Sequence, residues 1–239
     1  MVWIIINPGW CSVAESESRL RKNRSPTMNT DSNLPLGVII LAAGQSERMG
    51  SPKPLLRLGD KTLLEHVLAN AFLRRDGVHP MVVLGHSSEI IRASVSITAP
   101  WVENPKYTQG RITSVQCGLR ALPADITGTY IWPVDCPLVP ASVMEALAEA
   151  FGGPRTICIP SHNFRRGHPP LIGAWFFGEI LSMKEDQPLR TLYEKYPNSI
   201  QHVTVNTETV LHNLNTPEEF QAVQEGFGNL TNNKERAKS

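Results

Sequence analysis

From Leu36 onward the apolar positions switch repeatedly between two periods. Residues 37–41 (GVIIL) form a short, uniformly apolar run ending in Ala42-Ala43-Gly44, the pattern of a strand buried on both faces. Leu63, Leu64, Val67, Leu68 and Ala71 then fall at helical spacing. Residues 81–84 (MVVL), closed by Gly85, predict a second strand, and 87–95 the next helix. Ile112, Val115, Leu119 and Leu122 make another helical stripe. Residues 130–134 predict a strand running into Asp135, followed by a helix carrying Val143, Met144, Leu147 and Phe151. Strands alternating with helices predict an α/β fold with a doubly wound, mostly parallel sheet and right-handed crossovers. On such sheets ligands sit beyond the carboxyl ends of the strands, where strand order reverses.

The last third is less regular. Residues 156–160 and 171–174 read as short strands, 186–196 as a helix with Pro188 in its first turn, and 202–205 as a further strand. Thr216-Pro217-Glu218-Glu219 is a capping box with proline at the first helical position. It opens a helix whose apolar side holds Phe220, Val223 and Phe227. The expected organisation is a disordered polar leader over 1–34, one domain over 35–228 and a polar tail over 229–239. The leader leaves the start of the chain open between Met1 and Met28.

Composition narrows the classes. With 23 basic and 22 acidic residues in a chain of 239, the formal net charge is +1. No broad field draws in nucleic acid or an anionic membrane, so phosphate binding has to come from a local site. The N-terminal apolar run, broken by Asn7, Pro8 and Gly9, lacks the order of a signal peptide, and no stretch approaches a membrane span. Cys11, Cys117, Cys136 and Cys158 show no CxxC pairing, which argues against a zinc knuckle and for reduced thiols in a cytoplasmic protein.

The chemistry concentrates in Leu41-Ala42-Ala43-Gly44-Gln45-Ser46-Glu47-Arg48-Met49-Gly50-Ser51-Pro52-Lys53. It leaves a buried strand, and its small residues let backbone N–H groups approach an anion closely. Arg48 and Lys53 follow, a forked and a point cation suited to phosphate oxygens. The spacing departs from GxxxxGK[ST] and from GxGxxG. Asp135, at the tip of another strand, suits Mg²⁺, which takes one or two carboxylates with phosphate oxygens and water.

The thirteen-residue string 41–53 resembles LAAGxSxRMGxPK, the signature of the molybdenum cofactor cytidylyltransferase group within the larger nucleotidyltransferase family. Trp132-Pro133-Val134-Asp135-Cys136-Pro137, Asn104-Pro105 with Gln109-Gly110-Arg111-Ile112-Thr113-Ser114, and Gly167-His168-Pro169 resemble further segments of that group. The resemblance spans roughly 36–227 and implies a Rossmann-like fold of the nucleotide-diphospho-sugar transferase type. It implies Lys53, Arg48 and Asp135 as catalytic residues, and Leu41, Ala42, Ala43, Gly44, Arg48, Lys53, Gly85, Gly110 and Ser114 as nucleotide contacts. His168, Asp186 and Arg190 fall on the acceptor side, and Asp135 with Asn215 at the Mg²⁺.

The activity it implies is transfer of a nucleoside monophosphate from a triphosphate to molybdopterin-type cofactor, with pyrophosphate released and a molybdoenzyme as the onward partner. Two departures leave the substrates open. The family's GDxGxR reads Glu185-Asp186-Gln187-Pro188-Leu189-Arg190 here, and DIDTPED reads Asn213-Leu214-Asn215-Thr216-Pro217-Glu218-Glu219. Ala43 points towards CTP, whereas Asn215 resembles the guanylyl branch, molybdopterin-guanine dinucleotide synthase, and so towards GTP. Transfer to a sugar phosphate or other small phosphate, and a nucleotide-binding module without catalysis, are the competing readings.

Overall fold

The computed structural model describes residues 34–72 and 78–236, with side chains described as far as Phe227. All of the expected leader but Leu34, and the last three residues of the expected tail, lie outside them. Ten strands and seven helices make up the described part: β1 (Leu36–Ala42), β2 (Arg57–Leu58), β3 (Lys61–Thr62), α1 (Leu63–Phe72), β4 (Val78–Leu84), α2 (Ser88–Ser94), β5 (Trp101–Glu103), α3 (Arg111–Ala121), β6 (Gly128–Pro133), α4 (Ala141–Ala150), β7 (Ile157–His162), β8 (Arg165–Arg166), β9 (Leu171–Gly173), α5 (Phe177–Ser182), α6 (Arg190–Lys195), β10 (Ile200–Thr204) and α7 (Pro217–Arg236).

The main sheet runs β10-β7-β9-β6-β1-β4-β5, with β8 paired to β7. β1 lies parallel to both β4 and β6, the arrangement expected of a doubly wound sheet. Its side chains alternate between two cores, as a strand buried on both faces requires. Val38, Ile40 and Ala42 pack with α1 and α4, and Ile39 and Leu41 pack with α3, α5 and α6. Strand order reverses at β1, between β4 on one side and β6 on the other. The polar loops after β1 and β6 therefore open on a common crevice.

Two helices, α1 and α7, open on reciprocal side-chain boxes. Glu65 Oε2 accepts from Thr62 N at 2.6 Å and Thr62 Oγ1 accepts from Glu65 N at 3.2 Å, which opens α1. The predicted box at α7 has the same reciprocal form, Thr216 N to Glu219 Oε2 at 3.1 Å and Glu219 N to Thr216 Oγ1 at 3.2 Å.

The sheet is mostly parallel, as expected; β9 runs antiparallel between β6 and β7, a reversal that apolar content does not encode. The helix expected from Asp186 begins only at Arg190, because Pro188 lacks an N–H and disfavours helical backbone before it. Over the polar tail, α7 continues as far as Arg236, since extending a formed helix is far easier than nucleating one.

Candidate functional site

Two cavities open at the carboxyl edge of the sheet. The first, about 460 Å³, is lined by the loop after β1 (Leu41, Ala42, Ala43, Gly44, Gln45, Ser46, Glu47, Arg48), by Lys53 and Pro54, by Tyr107, Arg111 and Ser114, and by Pro133, Val134, Asp135 and Asn215. The second, about 480 Å³, is walled mainly by apolar groups, among them Ile112, Val115, Ile131, Leu189 and Tyr193. Gly110, His168, Glu185, Asp186 and Arg190 also line it. Leu41, Arg111 and Pro133 line both, so the cavities meet across one wall.

The loop after β1 is held by its own short side chains. Ser46, in left-handed backbone at φ 56°, accepts from Lys53 N at 2.9 Å and so folds the 3-10 turn Glu47–Met49 back on itself. Gly50, at φ 67°, lets the chain turn again towards Lys53. Beneath the loop, His86 N donates to Ala43 O at 3.1 Å. A side chain at Gly85 would press on Ala43 O and on Tyr107 Cβ, at 2.9 and 2.8 Å.

Lys53, Asp135 and Asn215 come from three distant parts of the chain. Lys53 Nζ donates to Asn215 Oδ1 at 2.9 Å and stands 3.7 Å from Asp135 Oδ2. Leu214 N donates to Asp135 O at 2.8 Å, which pins the loop bearing Asn215 to the tip of β6. Cys136 Sγ donates to Asn213 Oδ1 at 2.8 Å, and burial pushes this thiol well above its ordinary value, so it stays a protonated donor. Burial lowers the Lys53 ammonium pKa below the ordinary lysine range. Asp135 opposes that shift, while Arg48 and Arg111 reinforce it.

At the inner end of the first cavity, Asn104 is buried and donates to Thr113 Oγ1 at 2.9 Å and to Ser114 Oγ at 3.0 Å. Thr113 passes its own hydrogen to the Lys106 and Gly110 carbonyls. Ser114 accepts from Asn104 and has no acceptor of its own among the described residues, so its hydroxyl hydrogen is available to the cavity.

On the far side, Gln116 donates to the carbonyls of Ile180 and Met183, both at 2.9 Å, and ties α3 to the turn that carries Glu185 and Asp186. His168 lines the second cavity with a buried Nδ1 that has no hydrogen-bond partner among the described residues.

Of the residues expected from sequence, Leu41, Ala42, Ala43, Gly44, Arg48, Lys53, Ser114, Asp135 and Asn215 share the first cavity, and His168, Asp186 and Arg190 share the second. Two expected nucleotide contacts lie elsewhere. Gly85 lines neither cavity and acts from below, by letting Ala43 and Tyr107 approach. Gly110 faces the second cavity, at φ 138° against the Glu185 carbonyl. Tyr107 and Arg111 were not expected as lining residues. Arg111 stood in the quoted segment 109–114 and Tyr107 just before it, and Gly110 marks the sharp turn between them.

Asp135 faces the first cavity beside the Asn215 amide oxygen, and Glu47 is a second carboxylate on its lining. Among the described residues no group of three or more His, Cys, Asp or Glu gathers as a self-sufficient metal cage. One carboxylate with an amide oxygen fits a hard divalent cation that takes its remaining ligands from phosphate and water.

A crevice at the switch point of a doubly wound sheet, with a cationic loop on one strand tip and a carboxylate on the next, defines a nucleotide-binding α/β protein. A family model described as MobA-like NTP transferase domain matches residues 38–203, and the chain belongs to that family. It is 36% identical over 163 residues to the bifunctional protein GlmU of Rhodococcus jostii (strain RHA1), covering 62% of this chain and 32% of that protein. With GlmU of Kineococcus radiotolerans it shares 37% identity over 128 residues, 52% of this chain and 26% of that one. The chain thus spans about a third or less of these relatives.

Among solved structures, a Mycobacterium sp. strain JC1 homologue of Mycobacterium tuberculosis Rv0371c superposes with a TM-score of 0.71 at 25% identity, covering 83% of this chain and 98% of that one. Rv0371c itself, solved in complex with manganese, gives 0.66 at 20%, over 80% and 98% of the two chains. Molybdopterin-guanine dinucleotide biosynthesis protein A from Archaeoglobus fulgidus gives 0.59 at 20%, over 79% and 97%. At that identity the last two speak for the fold alone. Among the described residues no helix is long and apolar enough to cross a membrane.

Proposed function

We propose that this protein is a Mg²⁺-dependent nucleotidyltransferase that moves a nucleoside monophosphate, CMP in the favoured reading, from a triphosphate to the phosphate of a molybdopterin-type acceptor. The observation that carries it is the pair of cavities meeting at Leu41, Arg111 and Pro133, with Lys53, Asp135 and Asn215 clustered in the first. Each volume falls in the range of small-molecule sites, roughly 300–1,000 Å³. The first holds the nucleotide and the second the acceptor.

The acceptor's phosphate oxygen attacks the α-phosphorus in line. A new P–O bond forms, the bond to the β-phosphate's bridging oxygen breaks, and pyrophosphate leaves with that electron pair. An ionised phosphate is already a nucleophile, so the chain's part is positioning and charge neutralisation. Lys53 steadies the α-phosphate and Arg48 the departing pyrophosphate, while Gly44 leaves open the approach of backbone N–H groups. Ser114 offers a hydrogen to the base, and Tyr107 presents a ring on which the base can stack. Asp135 and Asn215 would hold the divalent cation, which when bound neutralises phosphate charge.

Asn215, where the cytidylyl group commonly has a carboxylate, favours guanylyl transfer as the second reading. The similarity to GlmU keeps a sugar phosphate among the acceptors to be tried. Pyrophosphate release measured with CTP, GTP, ATP and UTP in turn, with Mg²⁺ and either molybdenum-loaded molybdopterin or a hexose 1-phosphate, tests the proposal. Release confined to CTP with molybdopterin is expected. Nucleotide binding without release from any pair favours a non-catalytic module instead.

A further inference from the structure

Arg111 stands where the two cavities share a wall, and the reaction outlined above gives it no task. It is the first residue of α3, follows Gly110 and is exposed. No described side chain or carbonyl accepts a hydrogen bond or ion pair from it.

The position is a poor one for a cation in the free protein. The first turn of a helix carries the positive end of its dipole and favours acidic side chains. Arg111 also adds repulsion to a neighbourhood that already holds Lys53 and Arg48. Its charge reaches Lys53 in the first cavity and His168 in the second, and only Asp135 is felt likewise at both. A guanidinium kept unpaired at a helix N-terminus, beside other cations, is stabilised once anions arrive from both sides.

We propose that Arg111 is a further catalytic residue, which holds the acceptor's phosphate in the second cavity against the nucleotide's α-phosphate in the first. Its planar fork presents N–H groups in two directions and can engage one anion with each edge. Bringing two anions together is the main electrostatic obstacle to this reaction, and a cation between them removes it where the new P–O bond forms. Arg111 neither gains nor loses a proton; the electron pair of the broken bond leaves with pyrophosphate. The inference also describes the acceptor as a phosphate at the shared wall joined to a body that occupies apolar surroundings such as Ile112, Leu189 and Tyr193.

The proposal rests on the nucleotidyl-transfer reading, and its test separates the two. The protein is saturated with Mg²⁺ and a CTP or GTP analogue carrying methylene between the α and β phosphates. Phenyl phosphate, an aromatic phosphate needing no knowledge of the true acceptor, is then titrated calorimetrically into wild type, Arg111→Lys and Arg111→Gln. Loss of the fork is expected to weaken phenyl phosphate by about tenfold or more in Arg111→Gln, with Arg111→Lys between. Phenol, lacking the phosphate, is expected to bind all three alike, and the melting temperature of Arg111→Gln to match or exceed wild type. Equal phenyl phosphate affinity in wild type and Arg111→Gln, or none in wild type, overturns the role of Arg111 and leaves nucleotide binding standing. Failure of wild type to bind either analogue overturns both readings.

Discussion

Lys53 Nζ donates to Asn215 Oδ1 across 2.9 Å, although 162 positions separate the two residues in the chain. The same ammonium stands 3.7 Å from Asp135, so one cation joins the loop after β1 to the two oxygens best suited to a divalent metal. On the proposed function, metal and triphosphate compete with Lys53 for those oxygens or share them, which couples their binding to where one lysine points.

That coupling sets the first prediction. Lys53→Ala is expected to lower kcat by about 10²–10³, the scale of removing one positioned charge donor from a phosphoryl or acyl site. Asn215→Asp adds a second carboxylate and is expected to tighten the divalent cation by roughly tenfold. Rates measured across a Mg²⁺ titration check both. Activity of Lys53→Ala near wild type would sink the site assignment.

Asn104 and Ser114 act as one unit. Because Asn104 donates to Ser114 Oγ, the serine hydroxyl is held at the cavity lining with its own hydrogen free to donate. Asn104→Ala and Ser114→Ala are each expected to raise the KM for nucleotide by about five- to tenfold, the value of one hydrogen bond. The double variant is expected to be no worse than Ser114→Ala alone. Independent, multiplying losses in that cycle would show that the two do not act through each other.

Gly110 is a stability prediction with a functional edge. At φ 138° its missing Cβ leaves room for the Glu185 carbonyl, and an added methyl group would run into that backbone. Gly110→Ala is expected to cost about 2 kcal/mol or more, a fall of about 4 °C or more in melting temperature for a domain of this size. Calorimetry checks it, and a shift below about 1 °C speaks against the close approach. The surviving enzyme should lose acceptor affinity more than nucleotide affinity, since Gly110 and Glu185 line only the second cavity.

Burial holds the His168 imidazole below the usual histidine range; Asp135 opposes this and Arg111 adds to it. Between that lowered value and the unfolded value near ~6.5, the unfolded chain binds more protons, so stability rises with pH. This contribution is complete above the unfolded value and is lost as pH falls towards the folded one. The urea midpoint of wild type should drop over that window relative to His168→Gln, in which the titrating group is gone. Parallel pH profiles for the two proteins would rule out this role.

Much of this was legible in the chain because it is local. The loop from Leu41 to Lys53 is contiguous, and its small residues and two cations lie within one short stretch of the chain. The uniform run of β1, the stripes of α1 and α3, and the Thr216–Glu219 box each follow from side-chain spacing or one reciprocal pair of hydrogen bonds. From these the doubly wound sheet and the crevice at its carboxyl edge could be inferred.

What tertiary structure alone decided was which distant groups meet. The direction of β9, the contact of Gly110 with the Glu185 carbonyl, the Lys53–Asn215 bond and the place of Arg111 between two cavities all join segments far apart in sequence. Periodicity reports which face of an element is apolar; it does not report which other element covers that face, or where two loops approach. The amino-acid sequence by itself determined the fold class and the cationic loop, because short-range sterics and burial specify them. The second cavity and the wall it shares with the first came only from the packing of α3 against the turn after α5, through contacts that local spacing does not encode.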